Sequence, residues 1–156
     1  KYLAREDASH LLLVGAGALA PYLARAHAAV RPIKKVSIWN RTPERANALA
    51  EELSGEAFDT EVVRNAEAAA RDADIITCIT LSQTPVVSGG WLKEGAHLDL
   101  VGAFRPNARE ADDAAVKRAR IYVDTRRGAL KEAGDLVIPI SAGIIRESAV
   151  QGDLFE

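Results

Sequence analysis

Gly15, Gly17 and Ala20 stand at the spacing G-x-G-x-x-A, directly after the apolar run Leu11-Leu12-Leu13-Val14. Small residues at this spacing let a chain turn tightly, bring its backbone close to an anion, and pack the following helix against the preceding strand. The helix N-terminus then offers free N–H groups and a partial positive charge. The order strand, glycine turn, helix over residues 11–20 is that of a dinucleotide-binding fingerprint. The contacts would come from Gly15, Ala16, Gly17, Ala18 and Leu19. A glycine-rich connection without a ligand has the same spelling, so the rest of the chain must decide.

Asn40-Arg41-Thr42 is the second cluster, with Arg45 one helical turn on. NAD-binding domains commonly carry Asp or Glu at this place, to accept a hydrogen bond from the ribose 2′-hydroxyl. Asn40 removes a charge that would repel a 2′-phosphate, and the planar guanidinium of Arg41 suits phosphate. NADP(H) is therefore expected in preference to NAD(H). The competing reading leaves Arg41 and Arg45 solvated, with Thr42 only capping its helix. Thr80-Leu81-Ser82 would lie towards the nicotinamide half. Asp99 falls inside a strand pattern, where a buried carboxylate needs a partner and reads as structural. Arg105 and Arg109 flank a turn and read as solvated, and His27 reads as a helix-surface residue. There is no Ser-His-Asp set, no pair of carboxylates at a strand end and no metal cluster in the pattern.

These clusters need a scaffold, and the hydrophobic periodicity supplies one. Strands are predicted at 11–14, 35–39, 57–63, 74–80, 97–101, 121–123 and 136–140. Helices are predicted at 18–30, 43–53, 65–71, 108–119 and from Thr125 to about Ala133, with 144–150 helical as well. In the first helix Leu19, Leu23, Ala26 and Val30 form an apolar stripe; in the second, Ala46, Leu49, Ala50 and Leu53 do. Thr42 is placed as N-cap, with Pro43 at the first helical position. Alternation of strand and helix implies βαβ units, hence an α/β fold with a doubly wound parallel sheet and helices on both faces. In such sheets ligands bind beyond the carboxyl ends of the strands, where the unusual residues above collect.

The bulk numbers are consistent with one domain over residues 1–156. The chain has 48% hydrophobic and 27% charged residues and a net charge of −2, so it carries no electrostatic footprint for nucleic acid or an anionic membrane. No apolar run reaches membrane-spanning length. The single cysteine, Cys78, allows no internal disulfide and reads as a buried hydrophobe; a cytoplasmic protein is expected. The chain starts without methionine and is expected to be part of a longer protein.

Taken together, several motifs in fixed order resemble the ornithine cyclodeaminase/mu-crystallin family. They are Gly15-Ala16-Gly17 with Leu19-Ala20; Ile38-Trp39-Asn40-Arg41-Thr42; Val101-Gly102-Ala103 with Arg105-Pro106 and Arg109-Glu110; Tyr122-Val123-Asp124; and Ala129-Leu130-Lys131-Glu132 before Gly134-Asp135. The resemblance implies an NADP(H)-binding Rossmann domain, with a second domain for substrate and dimer contacts lying outside this chain. It implies cofactor contacts from Ala16, Ala18 and Leu19, a 2′-phosphate surrounded by Asn40, Arg41, Thr42 and Arg45, and a nicotinamide side formed by Thr80, Leu81 and Val101. Glu132 would face the substrate pocket. Family activities include ornithine cyclodeamination, alanine dehydrogenation and NAD(P)H reduction of cyclic ketimines such as pyrroline-2-carboxylate.

One position departs from the cyclodeaminase pattern. Where those enzymes carry an aspartate two residues before the proline of the turn, this chain has Phe104, which exchanges no proton. A ketimine or imino-acid reductase acting as a homodimer is therefore the expectation. The alternatives are an ornithine cyclodeaminase, a shikimate-dehydrogenase-like NADP domain, or a non-catalytic nucleotide-binding protein. Catalytic residues are not identified within this chain.

Overall fold

The computed structural model describes residues 2–156, and the chain divides into two compact units. The first comprises Lys1–Thr80 and Trp91–Val101; the second comprises Leu81–Gly90 and Gly102–Glu156.

The first unit is built on a five-stranded sheet in the order β3-β2-β1-β4-β5. Its strands are β1 (His10–Val14), β2 (Lys35–Trp39), β3 (Asp59–Val62), β4 (Ile75–Cys78) and β5 (His97–Leu100), and every pairing is parallel. β1 is central, with Val14 opposite Trp39 on one side and Cys78 on the other, so the carboxyl ends of these strands are level. All five residues of β1 are buried, which explains why its sequence is a continuous apolar run rather than an alternating one.

Helices α1 (Ala20–Val30), α2 (Pro43–Glu52) and α3 (Ala66–Asp72) connect the strands. Leu11 and Leu13 share a core cluster with Ala20 and Ala24 of α1, Ala46 and Leu49 of α2, and Leu53, while α3 also packs on β1. The doubly wound expectation is met here. The buried face of α1 differs from the predicted stripe. Its buried residues are Ala20, Pro21 and Ala24, whereas Leu19 and Val30 are exposed. Alanines bring the helix close to β1, and proximity outweighs the greater apolar area of the leucines.

The amino ends of the strands are held by charge. Asp74, just before β4, accepts hydrogen bonds from the N–H groups of Ser9 and His10 and pairs with Arg5 and Lys93 at 2.9 and 2.8 Å. Burial opposes its ionisation, but Lys93, the two N–H groups and Arg5 outweigh that and hold the carboxyl well below the usual range. Close by, His10 lies 3.1 Å from Asp72 and 2.8 Å from Ser37, a Ser-His-Asp line that the sequence did not reveal. Ser37 is fully buried and donates its hydroxyl hydrogen to Glu61, so it is a structural link rather than a nucleophile. His27, predicted on the surface, is tucked in with its Nε2 3.0 Å from the Thr77 hydroxyl and 3.4 Å from Asp99. Asp99 thus has the partners its strand position demanded.

The second unit contains α4 (Asp113–Arg118), β6 (Ile121–Tyr122), α5 (Arg126–Glu132), α6 (Gly134–Ser141) and β7 (Val150–Gly152). β6 and β7 form a separate parallel pair rather than extending the main sheet. The strand predicted at 136–140 is instead part of α6, and the helix predicted at 144–150 is instead a short 3₁₀ turn leading into β7. The β-branched Val137 and Ile138 favour a strand locally, but Ala133, Leu136 and Ile140 share one helical face and pack with Ala129, Ile121 and Val150. The helix predicted over 108–119 is shorter, because Asp112 caps it by accepting from Ala115 N–H and residues 102–111 form a loop.

That loop is fastened from inside the unit. Asp135 accepts from the N–H groups of Glu110 and Ala111, both at 2.9 Å, and Glu110 accepts from Gly102 N–H at 2.7 Å. Gly134 donates to Ala103 O, and a side chain at Gly134 would run into the carbonyls of Ala108 and Arg105. Only glycine fits that close approach.

Candidate functional site

The residues singled out for anion binding meet at the carboxyl end of β1 and β2. Gly15 adopts φ +113°, a conformation that L side chains rarely take, and a Cβ there would lie 2.7 Å from Ile79 O and 3.3 Å from Thr80 Cγ2. Thr80 therefore flanks the turn directly. Gly15 N–H donates to Trp39 O at 2.8 Å, which ties the turn to the end of β2. Gly17 is different. It is exposed, and a Cβ built on it would meet nothing within 4 Å. Folding does not require glycine at position 17; open space over its backbone suits an incoming group.

Helical hydrogen bonding starts at Ala20 N–H, which donates to Gly17 O. The N–H groups of Gly17, Ala18 and Leu19 are engaged by no described residue. These donors stand at the start of α1, an 11-residue helix whose first turn holds no acidic side chain. Such an end favours an anion. The Ala16 N–H is already used: it donates to Asn40 Oδ1 at 3.2 Å.

Asn40 is the junction that sequence reasoning missed. Its Nδ2 donates to Thr42 O at 2.8 Å while its Oδ1 accepts from Ala16, so one side chain spans two turns. Nothing in the spacing of residues 16 and 40 announces this; it follows from β1 and β2 being paired in register. Thr42 holds the N-cap position of α2 with extended backbone, as predicted, but its hydroxyl makes no capping hydrogen bond and is exposed. Arg41 and Arg45 are exposed and form no ion pair with a described residue, whereas Arg5, Arg25, Arg71, Arg109 and Arg126 all do. Arg45 lines a cleft of about 510 Å³ together with Ala16, Gly17, Ala18, Pro21 and Tyr22.

Val101 completes the first unit, its N–H donating to Cys78 O just beyond β5. Leu81 and Glu132 lie in the second unit; both are exposed, Glu132 as the last residue of α5. In that unit Phe104 is 54% exposed and the Arg105 guanidinium sits 5.4 Å from its ring centroid, an exposed cation–π pair on the buttressed loop. Among the described residues no group of three His, Cys, Asp or Glu could hold a metal, and no helix is long and apolar enough to cross a membrane.

This arrangement can hold a phosphate-bearing ligand: free amides at a helix start, a glycine with clear space above it, and the unpaired Arg45 lining the same cleft.

The sequence model of the ornithine cyclodeaminase/mu-crystallin family matches residues 1–156. The Δ1-pyrroline-2-carboxylate reductase of Paracoccus denitrificans is 45% identical over 155 residues, covering 99% of this chain and 49% of the relative. The Thermococcus litoralis Δ1-pyrroline-2-carboxylate reductase, solved with NADH and L-proline, superposes with a TM-score of 0.95 at 36% identity, covering 98% of this chain and 48% of that one. An archaeal alanine dehydrogenase dimer with bound NAD superposes with a TM-score of 0.91 at 29% identity, over 97% and 47% of the two chains. The chain spans about half the length of the relatives it matches. On the strength of a match along its whole length, this chain belongs to the ornithine cyclodeaminase/mu-crystallin family.

Proposed function

We propose that this chain is the NADP(H)-binding part of a reductase that acts on a cyclic ketimine or imino acid of the pyrroline-2-carboxylate type. The observation that carries the reading is the open Gly17 turn with unpaired Arg45 in the cleft beside it, and Arg41 exposed after β2. The activities named for the Paracoccus and Thermococcus relatives support the reaction class. In this reading the N–H groups of Gly17, Ala18 and Leu19 hold the pyrophosphate. Arg41, Arg45 and the Thr42 hydroxyl take the 2′-phosphate, and Asn40 keeps that region free of negative charge. Thr80 and Val101 of the first unit border the nicotinamide half; in the second unit, Leu81 is read as a cofactor residue and Glu132 as a substrate residue. When bound, the reduced nicotinamide supplies a hydride to the C=N carbon. Phe104 provides no proton-exchanging group for ring closure, which favours reduction over cyclodeamination.

The whole protein is read as a cytoplasmic homodimer, in line with the dimer named for the archaeal relative. The test is a steady-state assay of the full-length protein with pyrroline-2-carboxylate and either NADPH or NADH, set beside ornithine with NAD⁺. Imine-dependent oxidation of NADPH, faster than that of NADH at equal concentration, is the expected result. Ammonia release from ornithine without imine reduction overturns it.

A further inference from the structure

The Asn40 side chain has both of its polar atoms committed inside the protein. Oδ1 accepts from Ala16 N–H in the glycine turn, at 3.2 Å, and Nδ2 donates to Thr42 O in the turn after β2, at 2.8 Å. These are the two turns that, in the reading above, meet the pyrophosphate and the 2′-phosphate. No other described side chain joins them by a hydrogen bond. Other bonds at this end of the sheet, such as Gly15 N–H to Trp39 O, fix strand ends but not the residues that carry Arg41.

We propose that Asn40 is a positioning residue: by bridging Ala16 and Thr42 it sets the glycine turn and the Arg41-Thr42 turn in one register before any ligand arrives. This rests on the cofactor reading above. It gives the amide a second reason to be there, independent of charge. Aspartate has an acceptor for Ala16 N–H but no donor for Thr42 O, and would set two oxygens against each other at hydrogen-bonding distance. Serine is too short to span the gap. Only a planar amide of this length has an acceptor and a donor facing opposite ways. A consequence is that Ala16 N–H is spent on the bridge, so amide donation to a phosphate begins at Gly17.

The experiment uses the full-length protein and its N40A, N40D and R41A variants. Two readouts are taken: dissociation constants for NADPH and NADH, and amide hydrogen exchange of the peptide spanning residues 14–19 without ligand. Loss of a positioning hydrogen bond is worth roughly a three- to tenfold effect. N40A is therefore expected to weaken NADH and NADPH by a similar factor of that size and to speed exchange in the turn. N40D keeps the Ala16 acceptor. With only that half of the bridge left, its turn exchange and NADH affinity are expected to fall between those of N40A and the parent, while NADPH, facing a new negative charge, falls well below its N40A value. R41A is expected to weaken NADPH alone and to leave exchange unchanged.

If N40A weakens NADPH only, with NADH and exchange untouched, Asn40 is a direct phosphate ligand and the bridge is overturned. A parent protein that binds neither nucleotide defeats the cofactor reading, and the exchange comparison still decides the bridge. Should N40A fail to fold, N40S carries the same expectations.

Discussion

Glu110 and Asp135 are two buried carboxylates joined through the backbone: the Glu110 N–H donates to Asp135 Oδ1 over 2.9 Å, and Asp135 Oδ1 accepts from Ala111 N–H as well. Removing that acceptor strands two buried N–H groups, each costing about 1–3 kcal/mol. Asp135→Ala is expected to destabilise the second unit by about 2–5 kcal/mol and Asp135→Asn by less, since the amide oxygen still accepts. Urea unfolding followed by circular dichroism measures both. Similar, sub-kcal losses for the two variants would show that the loop does not depend on this fastening.

The same carboxyl has a pH signature. Burial raises its pKa above the usual carboxylate value, more than the two N–H donors and Arg109 lower it. A raised folded-state pKa means that the native state binds the proton more tightly than the unfolded chain. Its contribution is present below the unfolded pKa and fades as pH rises through the folded one. The stability of the parent relative to Asp135→Asn should therefore decline as pH rises from about 4. A difference that is flat with pH, or grows, contradicts this.

Asp74 should behave in the opposite sense. Its carboxyl is held below the usual range, so its contribution is present at neutral pH and lost as pH falls through the folded pKa. With Arg5, Lys93 and two N–H groups depending on it, Asp74→Ala is expected to cost about 3 kcal/mol at pH 7. The gap between parent and variant should shrink below pH 3. Denaturant midpoints taken across pH 2–7 decide it.

Gly15 and Gly17 are expected to separate folding from binding. Gly15→Ala places a methyl group against Ile79 O at a positive φ, and should lower stability by about 1–3 kcal/mol or more. Gly17→Ala meets only open space, so its melting temperature should match the parent, within about 0.5 kcal/mol in stability. Its affinity for either nucleotide should nevertheless fall at least tenfold, because the methyl group occupies the approach to the backbone. A thermal melt paired with calorimetric titration separates the two effects. Unchanged affinity in Gly17→Ala removes the pyrophosphate from this turn.

Arg41→Ala tests the cofactor preference. A charge-assisted hydrogen bond is worth about 1.5–3 kcal/mol, so the variant should lose roughly ten- to a hundredfold in NADPH affinity and little in NADH affinity. Equal losses for both nucleotides would remove the phosphate-binding role.

The pattern of successes and misses has a physical cause. The run Leu11 to Val14 and the small residues after it encode a buried central strand and its turn, because burial on both faces leaves an unbroken apolar signature. Arg41 and Arg45 are visible in the sequence as cations beside a strand end, and the structure leaves both exposed. What escaped were features that depend on a partner far along the chain. His27 looks like a surface residue until Thr77 and Asp99 come beneath it. Asn40 looks like the absence of an aspartate until Ala16 is set opposite it. Residues 136–138 have strand-forming side chains, and only the packing of Leu136 and Ile140 on Ala129 and Val150 makes them helical.

The place of β1 in the sheet has a consequence for how the protein forms. Leu11 pairs with Val36 on one side and with Ile75 on the other. The first pairing needs only the αβ unit that follows β1. The second must wait for β2, α2, β3 and α3 to be made, and closing that larger loop is slower. During synthesis β1 therefore has one satisfied edge and one open edge for a long interval, and that edge belongs to a strand whose five residues are all buried in the finished fold. Destabilising changes in β4 are expected to reduce the yield of folded protein more than their effect on final stability accounts for.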